Sequence, residues 1–184
     1  MKTLILNGSP RKNGDTAGLI DIVRKRLSGE IMQIDAYYAK ISPCVDCRMC
    51  RKTSGCAVDD EMSAVYDFLE ECDNVLIASP IYFSEITGRL LDVGSRLQTY
   101  FSASRFRGEK TALKPKKGAV ILTGGGTGNP QKAYETAVCL LRMMNAREIF
   151  ELVCSFGTDK TPALRDEKAV AGAESVAGFF IKQI

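Results

Sequence analysis

Five short runs of aliphatic and β-branched residues recur along this chain: Thr3 to Asn7, Ile31 to Tyr37, Asn74 to Ser79, Gly118 to Thr123 and Glu148 to Cys154. Between them the apolar residues fall at helical spacing. The sets are Leu19, Ile20, Val23, Leu27; Met62, Val65, Leu69, Cys72; Ile86, Leu90, Val93, Leu97, Tyr100; and Tyr134, Ala137, Val138, Leu141. A last set, Val170, Ala173, Ala177, Phe180 and Ile184, ends the chain on a helix. Strands separated by helices of this length cannot pair through tight hairpins, so they pair in parallel through right-handed crossovers. The runs also lack alternation, as strands buried on both faces do. The pattern therefore predicts an α/β fold with a doubly wound five-stranded parallel sheet in the order 2-1-3-4-5, helices on both sides and three layers (α/β/α). Asn129-Pro130 and Thr161-Pro162 each place a capping side chain before a proline suited to a helix start. No repeat, low-complexity block or linker divides the sequence. Residues 1–184 are expected to form one domain with one core, with a cysteine-rich insertion at about 43–60.

Composition narrows the chemistry. The chain has no histidine and seven cysteines. Without histidine there is no Ser/His/Asp or Cys/His nucleophilic set, no histidine-ligated zinc and no imidazole base. The chemistry must come from carboxylates, amines, thiols, backbone dipoles or a bound cofactor. A net charge of +3 is too mild for a nucleic-acid-binding or membrane-binding surface, so neither partner is expected. The first apolar run, Thr3 to Leu6, is too short for a secretory segment, and no run reaches the length of a membrane span. The expected location is cytoplasmic, where clustered thiols serve as metal ligands or catalytic groups rather than disulfides.

In a doubly wound sheet, ligands bind beyond the carboxyl ends of the strands, which directs attention to the loops after strands one, three and four. The first is Asn7-Gly8-Ser9-Pro10-Arg11-Lys12-Asn13-Gly14-Asp15-Thr16, leading into a helix. Hydroxyls, an amide and two cations at a helix N-terminus suit a phosphate group, although an Asp- or Thr-capped turn without ligand has the same composition. It is not a Walker A loop, because five residues separate Gly8 from Gly14 and Asp15 follows. The third strand ends in Ser79-Pro80-Ile81-Tyr82-Phe83-Ser84, an apolar wall fit for a flat heteroaromatic ring or for ordinary packing. The fourth ends in Thr123-Gly124-Gly125-Gly126-Thr127-Gly128-Asn129. Its glycines let a ligand approach the backbone, but they do not make G-x-G-x-x-G.

Together, the Gly8 to Thr16 loop, Ser79 to Phe83 and the Gly124 loop resemble the flavodoxin-like NAD(P)H-dependent FMN reductases, including their iron–sulfur flavoprotein branch. The resemblance implies a flavodoxin-like fold. It also implies that Ser9, Arg11, Asn13 and Thr16 hold the FMN phosphate, and that Pro80, Ile81, Tyr82 and Phe83 line the ring and ribityl chain. Gly124, Gly125 and Gly126 would then approach the polar edge of the ring. A flavin also answers the missing histidine, since the cofactor carries the electrons while the protein supplies position and electrostatics. No side chain is assigned a catalytic role.

Cys44, Cys47, Cys50 and Cys56 form C-x2-C-x2-C-x5-C between the second strand and the Met62 helix. Four thiols at this spacing suit a [4Fe–4S] cluster, with tetrahedral zinc less apt because structural zinc sites usually join two separated knuckles. A reduced thiol loop at a subunit contact is the alternative without metal. The spacing also resembles the cysteine motif of iron–sulfur flavoproteins, while cluster-free FMN reductases carry similar cysteines, so both readings stay open. Cys72, Cys139 and Cys154 fall in helix or strand patterns and are expected to be small buried hydrophobes. The basic stretch Arg105, Arg107, Lys110, Lys114, Lys116, Lys117 reads as a solvated loop, or as a docking surface for nicotinamide phosphates or an acidic redox partner.

The expectation is an FMN-binding oxidoreductase that takes electrons from NAD(P)H through FMN to a small-molecule or redox-protein acceptor. The alternative is an electron carrier using FMN plus a [4Fe–4S] cluster. The resemblance implies a homodimer or homotetramer.

Overall fold

A computed structural model describes residues 1–110 and 112–182. In chain order its elements are β1 (Lys2–Asn7), α1 (Asp15–Arg26), β2 (Glu30–Asp35), α2 (Met62–Glu71), β3 (Asn74–Pro80), α3 (Gly88–Ser95) and α4 (Gln98–Arg107). There follow β4 (Lys116–Gly124), α5 (Gln131–Met143), β5 (Ala146–Ile149), β6 (Val153–Phe156) and α6 (Glu167–Ile181). The sheet order is β2-β1-β3-β4-β5, every named pair is parallel, and β6 also pairs with β4. The order expected from the run pattern is the one formed.

Side chains alternate across each central strand, and this sorts the core into two layers. Leu4 and Leu6, Val75 and Ile77, and Val120 and Leu122 face the layer packed by α2, α3 and α5. Ile5, Leu76, Ala78, Ala119 and Ile121 face the layer packed by α1 and α6. The central strands are buried on both faces, which is why their sequences read as unbroken apolar runs.

Four local expectations need correction. The fifth run is not one strand over Glu148 to Cys154: β5 pairs with Lys116 to Gly118 and β6 with Ile121 to Gly124, end to end along the same side of β4. The division falls between Ile149, opposite Gly118, and Val153, opposite Ile121, where the chain advances four residues against three on β4. The Ile86 to Tyr100 set is likewise two helices. Arg96 N–H bonds Val93 O at 3.1 Å and Leu97 N–H bonds Gly94 O at 3.0 Å, a tightened turn that breaks the α-helix between α3 and α4.

Thr161-Pro162 opens only a 3-10 turn, Ala163–Arg165, and α6 is capped by Asp166, whose side chain accepts the Ala169 N–H at 3.2 Å. Asn129 does cap α5, accepting the Gln131 N–H at 2.9 Å. The expected end of the last helix, Ile184, lies outside the described residues. Cys139, expected to be buried, is exposed, because α5 buries its Ala133, Ala137, Leu141 face and position 139 lies off it. Among the described residues no helix is long and apolar enough to cross a membrane.

Candidate functional site

The end of β1 is shaped by its own side chains. Asn7 accepts the Ser9 N–H at 2.9 Å and donates to Asp35 at 2.8 Å, turning the chain out of the sheet. Ser9 Oγ then accepts the Arg11 N–H at 3.2 Å. Gly8 is required by crowding: a Cβ there would lie 2.8 Å from Ser79 Oγ and 2.9 Å from both Leu90 Cδ2 and Thr87 Oγ1. The next turn delivers the chain to α1, whose N-cap Gly14 offers no side-chain acceptor. The first-turn N–H groups and the positive end of the helix dipole are left for an anion. Asp15 does not fill that role, because its carboxylate accepts the Ala163 N–H at 2.9 Å and pairs with Arg11 at 3.6 Å.

The hydroxyls of Thr16 and Thr123 meet at 2.7 Å, joining the first turn of α1 to the end of β4. One of the two donates to the other, which leaves one O–H for a ligand. From β3, Ile81 N–H bonds Thr123 O at 2.8 Å, tying the aromatic loop to the same point. Tyr82 and Glu85 then exchange backbone bonds of 2.9 and 3.0 Å around Phe83 and Ser84. Both central residues have positive φ, 52° and 63°, and Phe83 is fully exposed. A non-glycine pair in this mirror-image turn costs about 1–2 kcal/mol per residue.

These loops enclose one cavity of about 160 Å³ beyond the carboxyl ends of β1, β3 and β4. Of the residues expected from sequence, Ser9, Arg11, Thr16, Pro80, Ile81, Tyr82, Gly124 and Gly125 line it. Asn13 lies exposed beside the first loop, Phe83 projects fully into solvent and Gly126 is exposed, all three outside the lining. The cavity also takes Pro10, Thr123, Thr158 and Asp159, which the sequence reading did not select.

Thr158 and Asp159 follow β6, and Gly157 N–H to Gly126 O and Thr158 N–H to Gly124 O, both 3.1 Å, hold them over the glycine loop. Their signal was Gly157, three residues beyond the fifth run and directly after β6, where φ is 69°. They also change the reading of the glycines. A Cβ at Gly125 would meet the Asp159 carboxylate at 2.8 Å and one at Gly124 the Phe156 ring at 3.0 Å, so neighbouring side chains use the space.

The four-cysteine segment docks against the α3–α4 break. Cys44 N–H bonds Ser95 Oγ at 2.9 Å, Cys50 Sγ donates to Ser102 Oγ at 3.3 Å, and Arg107 donates to the carbonyls of Cys50 and Thr53. Arg51 lies over the Phe106 ring at 4.5 Å. The ends of the segment are clasped by Arg96, whose side chain is wholly buried. Its Nη1 donates to Asp60 at 2.7 Å and to Ser42 O at 2.9 Å, and its Nη2 to Val58 O at 3.0 Å. Burial alone would raise the Asp60 pKa, but the Arg96 guanidinium and the Ser42 and Met62 N–H groups outweigh it and hold the carboxyl below the ordinary carboxylate range.

Cys44, Cys47, Cys50 and Cys56 all line one cavity together with Arg96. Among the described residues no three thiol or carboxylate side chains converge tightly enough to hold a single metal ion. A cluster spreads its ligand sulfurs around several faces, and four thiols facing one cavity beside a buried cation have the donor chemistry for it. The free space is only about 20 Å³, and the exposed rim from Cys44 to Arg48 is the side that must give to admit a cluster.

Two of the remaining thiols, Cys72 and Cys154, and most of the basic stretch have structural surroundings. Burial pushes the Cys72 thiol up to about 11 and raises Cys154 as well. The basic stretch is only in part a solvated surface: Arg105 and Lys110 are exposed, whereas the other four are engaged. Arg107 holds the cysteine segment, Lys114 pairs with Asp73 at 2.7 Å, and Lys116 and Lys117 are buried, with Lys117 donating to Phe179 O at the end of α6 at 3.0 Å.

Residues 1–161 match the profile of the family described as NADPH-dependent FMN reductase. An iron–sulfur flavoprotein of Archaeoglobus fulgidus is 30% identical over 135 residues, 72% of this chain and 58% of that protein. One from Methanosarcina thermophila is 26% identical over 135 residues, 72% of this chain and 68% of its own. The chain thus spans about three-fifths to two-thirds of the length of these two relatives. In fold it is similar to the NAD(P)H:quinone oxidoreductase of Methanothermobacter marburgensis, with a TM-score of 0.75 at 14% identity over 100% of this chain and 98% of that one.

Proposed function

The chain belongs to the NADPH-dependent FMN reductase family, and on that premise we propose that it is an FMN-binding oxidoreductase passing electrons from NAD(P)H to a small-molecule or redox-protein acceptor. The observation that carries this reading is the single cavity built from the ends of β1, β3, β4 and β6, with an uncapped helix N-terminus on one side and Pro80, Ile81 and Tyr82 on another. Ser9, Arg11, Thr16 and the first-turn N–H groups of α1 bind the phosphate, and Asn13 closes over it from the first loop. Pro80, Ile81 and Tyr82 hold the ring and keep water from one face, with Phe83 standing exposed at the mouth. Gly124, Gly125 and Gly126 bring backbone to its polar edge, where Asp159 adds an acceptor. Bound FMN supplies hydride acceptance and one-electron release. Residues 1–184 act as one domain, in the cytoplasm. A homodimer or homotetramer would use the apolar groove of Leu91, Leu97, Phe101, Leu140 and Met143 between α3, α4 and α5.

A second reading, an electron carrier with FMN and a [4Fe–4S] cluster on Cys44, Cys47, Cys50 and Cys56, is favoured by the shared cysteine cavity. Anaerobic absorption spectroscopy tests both. Bound flavin bleached by NADH or NADPH at a catalytic rate supports the reductase, and flavin plus cluster without nicotinamide reduction supports the carrier. Protein that stays colourless and does not quench added FMN fluorescence refutes the pair.

A further inference from the structure

Arg96 combines features that a loop clasp alone does not require. Its side chain has 0% exposure, and its contacts to Asp60, Ser42 O and Val58 O use the two Nη atoms. Its Nε–H is buried and makes no hydrogen bond of ordinary geometry, the side chain within reach of the guanidinium outside the clasp being the Cys56 thiol. A buried donor left unmatched costs about 1–3 kcal/mol. Two backbone carbonyls could be tied by a neutral amide at far smaller desolvation cost than a guanidinium.

The orientation supplies the reason. Arg96 lines the cavity shared by Cys44, Cys47, Cys50 and Cys56, whereas Asp60 does not. The carboxylate sits on the Nη1 edge, which leaves the Nε edge of the guanidinium unmatched by any acceptor of the clasp. Cys56 lies close enough to couple electrostatically with both Arg96 and Tyr66. The other charged residues around the cavity, Asp46, Arg48 and Arg51, stand on its rim: Asp46 and Arg48 are exposed and Arg51 half-buried.

We infer that Arg96 is the built-in counter-ion of the group held by the four cysteines, its free Nε–H donating to the sulfur side of that group and making it easier to reduce. This rests on reading the four cysteines as [4Fe–4S] ligands. A cluster on four thiolates is an anion that gains one further negative charge when it accepts an electron, and a buried cation beside it favours the reduced form. Arg96 is a positioning residue in this scheme, since it acts on the cluster through charge and one hydrogen bond and ligates no iron.

The test uses the full chain reconstituted anaerobically with FMN, ferrous iron and sulfide. Iron and acid-labile sulfide are counted, and the cluster midpoint is read by EPR-monitored titration with the flavin midpoint as internal reference. Arg96→Gln should shift the cluster midpoint to more negative values. Asp60→Asn, which leaves the cation uncompensated, should shift it to more positive ones. Arg96→Lys, which keeps the charge and loses the Nε–H, should give a smaller negative shift. If Arg96→Gln cannot keep its segment folded, the opposite signs expected of the Lys and Asn variants still decide the matter. A loaded wild type whose midpoint is unmoved by these variants, or moved the same way by both charge changes, overturns the role of Arg96 alone. A wild type that takes up no iron and sulfide overturns the cluster reading and this inference with it.

Discussion

Thr16 and Thr123 are 107 residues apart in sequence, and their hydroxyls share one 2.7 Å hydrogen bond that locks the N-terminal end of α1 to the glycine-rich end of β4. Thr16→Val keeps the shape and removes the hydroxyl. Loss of a charge-assisted contact worth about 1.5–3 kcal/mol should weaken FMN by roughly tenfold to a hundredfold. Flavin fluorescence quenching measures it, and an unchanged affinity would place the phosphate elsewhere.

Gly8→Ala and Gly126→Ala should behave oppositely. The first forces a methyl within 3 Å of Ser79, Leu90 and Thr87, and the second enters open space. Overpacking at residue 8 should cost about 1–3 kcal/mol, read from urea midpoints, while residue 126 should stay within about 0.5 kcal/mol of wild type. Equal midpoints for the two variants would contradict the close approach of the first loop to β3.

The Phe83–Ser84 turn stores strain at the mouth of the cavity. Asparagine followed by glycine is the pair best suited to this mirror-image turn, so the double variant Phe83→Asn with Ser84→Gly should stabilise the protein by about 1 kcal/mol or more. Removing the exposed ring should at the same time raise KM for the electron acceptor. A variant that loses stability would show that the aromatic ring packs in a way its full exposure does not suggest.

Asp60 titrates below its unfolded value, so the stability it contributes is present above the ordinary aspartate range and disappears as pH falls through the folded value. Wild type should lose stability toward about pH 3 more steeply than Asp60→Asn. At neutral pH the variant should be weaker by about 3 kcal/mol, because Arg96 loses its buried partner. Urea unfolding at a series of pH values checks both, and parallel curves would remove Asp60 from the acid limb.

Thiol labelling at mildly alkaline pH should separate the cysteines. Cys44, Cys47 and Cys139 are exposed and should react quickly, whereas Cys72, buried with its thiol raised to about 11, should react only on unfolding. Mass spectrometry after brief alkylation assigns the sites, and early labelling of Cys72 would contradict its burial.

The sheet order was legible because β1, β3 and β4 are buried on both faces and carry no polar alternation to confuse the period. The fifth run misled because its division depends on how it registers with β4, four residues from Ile149 to Val153 standing opposite three from Gly118 to Ile121, and that is a pairing property rather than a compositional one. The first loop could be read from Ser9, Arg11 and Thr16, whose chemistry is local. Asp159 could not, since its loop reaches the cavity through bonds to Gly124 and Gly126, over 30 residues away. Arg96 carries no signal in the sequence that would set it apart from other charges. Only the tightened turn between α3 and α4 aims it inward.

That the room left by Gly124 and Gly125 is filled from the β6 loop bears on how the protein could be redesigned. Thr158 and Asp159 form a replaceable panel, fastened to the rest of the cavity by two backbone bonds and carrying the one carboxylate among the described residues that line it. Rewriting those two positions would retune cofactor affinity and colour while the phosphate loop, the sheet and both cores stay as they are.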